Sequence, residues 1–139
     1  MPSGAGFTRQ LIRSHTHVVF NERQIGRAAE FFAPDVTWQG STGRTVQGRD
    51  HVVALIGEVV GALDGLTATE QHMAAHGDTV TVRYRIEATH SRDLLGMPAT
   101  GRPICWEPVS TYRISEGKII TAKTSGNLAS AFRGGGGPA

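Results

Sequence analysis

The chain has 139 residues with 14 Lys+Arg against 12 Asp+Glu, a formal net charge of +2, and this size suits one domain that buries roughly two-thirds of the surface its unfolded form exposes. The single cysteine, Cys105, excludes an internal disulfide and zinc motifs built on paired cysteines, no apolar run reaches the length of a membrane span, and the opening MPSGAGFTRQ lacks a secretory pattern, so a cytoplasmic protein without a membrane partner is expected. A pI of 9.1 raises nucleic acid as a partner, but the 12 Arg and two Lys are interleaved with acids along the chain, and without a basic block no nucleic-acid partner is expected.

The first predicted element is a helix over 7–20, with Leu11, Ile12, Val18 and Val19 on one broad stripe. A second helix over 23–32 aligns Ile25, Ala28, Ala29 and Phe32 and stops before Pro34, since the residue ahead of a proline disfavours helical backbone. A brief strand over 35–40 places Val36 and Trp38 on one side, ends in a Gly-Ser-Thr-Gly turn and returns through Thr45 and Val46. Val52, Val53, Ile56, Val59, Val60 and Leu63 then predict a helix over 50–63, closed by Gly65.

Beyond residue 65 alternation replaces the helical period. Strands are expected over 66–75 and 79–89, joined at His76-Gly77-Asp78, with Val80, Val82, Tyr84, Ile86 and Ala88 facing one way. After a loop over 91–103 come strands over 104–114 and 119–126, joined by a turn at 115–118. Residues 1–6 read as a flexible N-terminus, 7–132 as one domain, and the RGGGGPA of 133–139 as a disordered tail.

Helices followed by antiparallel strands predict an α+β fold, three N-terminal helices packed on a curved, mostly antiparallel sheet. Such a sheet curls into a cone-shaped α+β barrel whose open end is a pocket for a small molecule. By parity the helix-facing side carries Trp38, Tyr84, His90, Trp106, Ser110, Tyr112 and Thr124.

Four motifs carry a family likeness: FFAPDVTW entering the first strand, GRD opening the long helix, THSRDLLGMPATGR after the long strand, and the YRISEGKI hairpin. Together they resemble the SnoaL-like polyketide cyclase branch of the nuclear transport factor 2-like fold. The resemblance implies cofactor-independent chemistry on a hydrophobic polyketide or steroid-like substrate, and a homodimer formed through the sheets. It departs from the family where acid–base groups belong. The aspartate and histidine of the anthracycline-type aldol cyclases fall on Thr124 and Ser110, and the aspartate and tyrosine of ketosteroid isomerases fall on Gly40 and Thr16. Thr124 and Ser110 have too high a pKa to act as bases, though each can donate a hydrogen bond to an oxyanion.

The remaining catalytic candidates are His90, with inward parity and a pKa near neutrality, and Glu107, between Trp106 and Pro108. His90 reads equally as a brace for the following loop. Glu107 has outward parity and turns inward only if Pro108 marks a bulge; otherwise it is a surface residue pairing with Arg85 or Arg113. Glu70 and His72, two residues apart on one strand, share a face and could poise a proton, or equally mark an exposed strand, whereas His15 and His17 point apart on a helix and offer no metal pair, although His17 could look into the cone. No HxxxH, no two-His-plus-carboxylate run and no cysteine set is present, so neither a metal nor a cofactor is expected. The expected function is cyclisation or isomerisation of a reactive intermediate, with Trp38, Tyr84, Trp106 and Tyr112 shaping it, Ser110 and Thr124 donating to a carbonyl, and His90, with or without Glu107, moving a proton. Epoxide opening and non-catalytic binding in the same cone are the alternatives.

Overall fold

The structure, a computed structural model, describes residues 5–40, 44–94 and 96–125. Helix α1 (Ala5–His15) opens the chain. Its buried side is Thr8, Ile12 and His15, continued by Thr16 and Val19, a regular helical stripe that includes polar residues. The helix does not run unbroken to residue 20. Thr16–Asn21 widens into a π-helical turn, with Glu22 N–H donating to His17 O five residues back at 2.7 Å.

Asn21 closes that turn by imitating a strand. Its side-chain amide donates to Ala68 O at 3.0 Å and accepts from Ala68 N–H at 2.7 Å, which ties the helical layer to a sheet edge. A 3-10 helix (Ile25–Phe31) then leads straight into β1 (Phe32–Gln39), which starts three residues ahead of the expected position. Pro34 is accommodated because the β1 ladder slips between Phe32 and Thr37, where no N–H is required of it. After β2 (Thr45–Gln47), helix α2 (Arg49–Ala62) ends on the Arg23 guanidinium, which donates to Val60 O at 2.9 Å and Leu63 O at 3.3 Å. A cation at these carbonyls answers both the orphan acceptors and the helix dipole.

Strands β3 (Leu63–His76), β4 (Thr79–His90), β5 (Pro103–Trp106), β6 (Val109–Ser115) and β7 (Lys118–Ser125) complete a seven-stranded sheet in the order β2-β1-β7-β6-β4-β3, with β5 also on β4. Only β1 and β7 run parallel among the described strands; every other pairing is antiparallel. The three helical segments cover one face of this curved, open sheet, as the α+β expectation required.

Three details correct the sequence reading. Gly65, with φ +65°, does not close α2 but occupies a bulge within β3, which begins directly at Leu63. The strand expected over 104–114 is two strands, because Pro108 has no N–H to donate to the ladder. Helix α1 begins at Ala5, two residues ahead of the expected start. The expected tail at 133–139 lies outside the described residues.

Asn21→Ala removes the only side chain among the described residues that holds the Ala68 amide and carbonyl on this side. It is expected to lower the urea midpoint by the equivalent of about 1–3 kcal/mol with little change in slope. A change below a few tenths would show that water satisfies these groups instead.

Candidate functional site

β4 positions the site. It pairs with β5 at Ile86↔Trp106 and with β6 at Val82↔Ser110, and between them Tyr84 N–H donates to Pro108 O at 3.0 Å. The ladder thus passes Glu107–Pro108 without an inserted residue. Trp106, Pro108, Ser110 and Tyr112 consequently all face the helices, together with Tyr84 and Ile86.

These residues wall a cavity of about 730 Å³, counting its open mouth, which is bounded by Thr16 and Phe20 of the π-helical turn, Leu55, Ile56 and Val59 of α2, Trp38 from β1 and Gly40 just beyond it, and Thr124 from β7. Trp38, Tyr84, Trp106, Ser110, Tyr112 and Thr124 all line it. The wall is mainly apolar, and its polar groups are neutral. Tyr84 Oη lies 2.7 Å from Thr16 Oγ1 and 3.3 Å from Tyr112 Oη, and Ser110 Oγ lies 2.8 Å from Thr124 Oγ1. Tyr112 also interacts with Ser110, which joins these into one string of five hydroxyls and four links, so one O–H is left to serve another acceptor. Burial, reinforced by Tyr112, raises the Tyr84 pKa well above its ordinary value, and burial likewise raises that of Tyr112. Both phenols therefore stay protonated at neutral pH and act as donors.

Among the described residues lining this cavity there is no carboxylate, imidazole, ammonium or guanidinium. His90 is fully buried at the end of β4, opposite Leu63, and lies outside the lining. Its backbone donates to Arg102 O and accepts from Gly101 N–H, and its Nδ1 is 3.3 Å from Thr100 Oγ1, the geometry of a loop brace. Glu107 is exposed on the outer face, 3.3 Å from Arg85 Nη1 and 3.4 Å from Gln71 Nε2. The bulge that would turn it inward is absent.

A bulge does occur on β3, where the register shifts between Glu70↔Tyr84 and His72↔Arg83. It separates the pair expected to share a face: Glu70 lies on the Tyr84 side and His72 on the Arg83 side. Glu70 is held by Arg13 through contacts of 2.9 and 3.0 Å, and this hydrogen-bonded guanidinium lowers the carboxyl pKa. Arg13, His17, Asn21 and Glu70 border a second, polar hollow behind the Thr16–Tyr84 contact. His17 faces this hollow rather than the cone and lies 3.2 Å from Glu22. No group of three potential metal ligands occurs among the described residues, and no described helix is long and apolar enough to cross a membrane.

The residue missed from the sequence is His15. It is 0 % exposed inside a cage of Phe20, Phe31, Phe32, Trp38 and Tyr112, with ring centroids 5.3–6.3 Å away. Neither ring nitrogen has a hydrogen-bond partner among the described residues, and desolvation lowers the pKa to about 3. His15 backs Phe20, Trp38 and Tyr112, three of the rings that line the cavity. Its spacing from Thr8 and Ile12 was the available signal, obscured because an imidazole is not counted in an apolar stripe.

A helix-lined half-cone enclosing a neutral, aromatic cavity defines a small-molecule site of the nuclear transport factor 2-like fold. Residues 12–122 match the SnoaL-like domain, and the chain belongs to that family. No curated protein matches it. It is similar in fold to a proposed polyketide cyclase from Xanthomonas campestris pv. campestris, at TM-score 0.80 and 16% identity over 91% of this chain and 94% of that one. IdmH, a proposed polyketide cyclase from Streptomyces antibioticus, gives TM-score 0.74 and 22% identity over 91% and 96%. A hypothetical protein with a ketosteroid isomerase-like fold from Catenulispora acidiphila, in complex with trimethylamine, gives 0.73 and 16% over 89% and 90%.

A Cβ added at Gly40 would lie 2.9 Å from Trp38 Nε1. Gly40→Ala is therefore expected to displace the indole and to destabilise by about 1–3 kcal/mol. An unchanged near-ultraviolet circular dichroism spectrum would argue against this contact.

His15 also sets a pH dependence. Below about pH 6.5 the unfolded chain takes up a proton that the folded chain refuses until about pH 3, so this contribution is complete above 6.5 and is lost as pH falls, by about 1.4 kcal/mol per unit. His15→Leu should flatten the decline of the urea midpoint between pH 6.5 and 4; parallel profiles would mean that the imidazole is not sealed from solvent.

Proposed function

We propose that the protein directs cyclisation or isomerisation of a reactive, hydrophobic polyketide-type intermediate by shape and neutral hydrogen-bond donors, without a charged acid–base pair. The observation that carries this reading is the cavity wall itself, in which aromatic rings and hydroxyls are the chemistry and no ionised side chain occurs among the described lining residues. Trp38 and Trp106 flank the substrate, and the spare hydroxyl proton serves a carbonyl oxygen as negative charge builds on it. Phenols with raised pKa values are poor acids but fixed donors. Holding reacting ends together supplies much of the rest, on the order of 7 kcal/mol in favourable cases.

This chemistry favours ring closures in which protons move within the substrate or through the hydroxyl string, and disfavours removal of a weakly acidic C–H proton by the enzyme. His90 and Glu107 are given no proton-transfer role in this reading: one is sealed beside the 91–102 loop, and the other faces solvent. A homodimer, a cytoplasmic setting and a place in antibiotic biosynthesis belong to it by family analogy.

Incubating the purified protein with a linear polyketide intermediate and following products by mass spectrometry tests the proposal. An isomer of unchanged mass is expected, whereas gain of water would indicate epoxide opening and saturable retention without product would indicate a carrier. Tyr112→Phe should lower kcat roughly a hundredfold, and Glu107→Gln should leave it unchanged; the reverse pattern would overturn the assignment.

A further inference from the structure

Trp106 differs from the hydroxyls of the cavity wall. Its Nε1 is buried and has no hydrogen-bond partner, and among the described lining residues it is the one buried side-chain polar atom in that condition. The hydroxyls of Thr16, Tyr84, Tyr112, Ser110 and Thr124 rotate, and each shares at least one hydrogen bond with another. An indole N–H can do neither: it is donor-only, fixed in the ring plane, and needs an acceptor brought to it.

Its surroundings supply none. The neighbouring lining residues Phe20, Val59, Leu66 and Ile86 are hydrocarbon, and the packed cluster that Trp106 joins is apolar. Its backbone is held by pairing with Ile86 across the ladder, and the rigid Pro108 follows two residues later. A phenylalanine would give the same stacking surface without burying a donor. The N–H is thus an unused, solvent-inaccessible donor on a residue of the cavity wall, which an acceptor reaches when the indole or an adjoining apolar side chain gives way.

We infer that the Trp106 indole N–H recognises a carbonyl oxygen of the bound molecule, so that the cavity selects flat, hydrophobic ketones, quinones or esters over hydrocarbons of equal shape. The inference rests on the cavity being the substrate site and adds to it a donor at the β5 wall, separate from the hydroxyl string. Trp106 then determines specificity and orientation as well as shape.

Two near-isosteric probes separate these roles: 2-acetylnaphthalene, and 2-isopropenylnaphthalene, in which a methylene replaces the carbonyl oxygen. Affinities measured by equilibrium dialysis for wild type, Trp106→Phe and Glu107→Gln, the last a change on the outer face, form a cycle in which differences in water–cavity partition cancel. The ketone-to-alkene affinity ratio is expected to fall about tenfold, equal to 1.4 kcal/mol, in Trp106→Phe and to be unchanged in Glu107→Gln. A ratio unaffected by Trp106→Phe, or one that falls equally in Glu107→Gln, overturns the inference while leaving the cavity as a binding site. Failure of wild type to bind either probe overturns the cavity reading itself.

Proton NMR of the unmodified protein gives a second readout that does not depend on a variant folding. The indole N–H signal of Trp106 should move downfield with the ketone and stay in place with the alkene. The same small shift with both probes would show stacking alone.

Discussion

The cavity depends on β4 keeping one register with β5 and β6 across a residue that cannot donate to the ladder. Pro108 interrupts the hydrogen bonding but adds no residue, and its carbonyl still accepts from Tyr84 N–H. Side chains on a strand alternate with a period of two, so one inserted residue would exchange Trp106 for Glu107 on the inner face. It would bring a carboxylate among hydrocarbon and expel an indole into water. The present register leaves Glu107 beside Arg85 and lets Trp106, Pro108, Ser110 and Tyr112 form one continuous wall. Burial of the rings and exposure of the charge both favour this register, so the pattern and the ladder reinforce each other.

A neutral wall has electrostatic consequences. Desolvation acts on Tyr84, Tyr112 and His15 alike and always favours the uncharged form, raising the phenols and lowering the imidazole. The site is consequently indifferent to pH near neutrality except through its stability. Charged groups are kept behind the Thr16–Tyr84 contact, where Arg13 and Glu70 neutralise each other at the polar hollow. The π-helical turn makes this partition, since it sets Thr16 and Phe20 toward the cavity while His17 faces outward.

Alternation along β4 and β6 was legible in the sequence because both strands bury one face and wet the other; of the seven residues placed by parity on the helix-facing side six line the cavity, and His90 does not. The order of helices and strands was legible for the same reason. Features that break a period were not. A bulge changes the face of a residue without changing its identity, so Glu70 and His72 read as neighbours although β3 separates them. Pro108 signalled a disturbance correctly, but a missing donor and an inserted residue look identical in sequence. His15 was hidden for a different reason: an imidazole is expected to seek a partner, and here its neighbours are aromatic rings.

The absence of ionised groups from the described wall is linked to its rings. At Gly40 the space a Cβ would need is taken by the Trp38 indole. Trp38 in turn packs edge-on to Phe32 at 5.9 Å and stands 6.3 Å from the neutral His15. A larger side chain at this position would have to displace the indole, whose Nε1 is the nearest atom. The aromatic packing around Trp38 and a side chain at position 40 therefore compete for the same space. The chain holds the cage, and any reaction it promotes has to draw on contact, orientation and neutral donors.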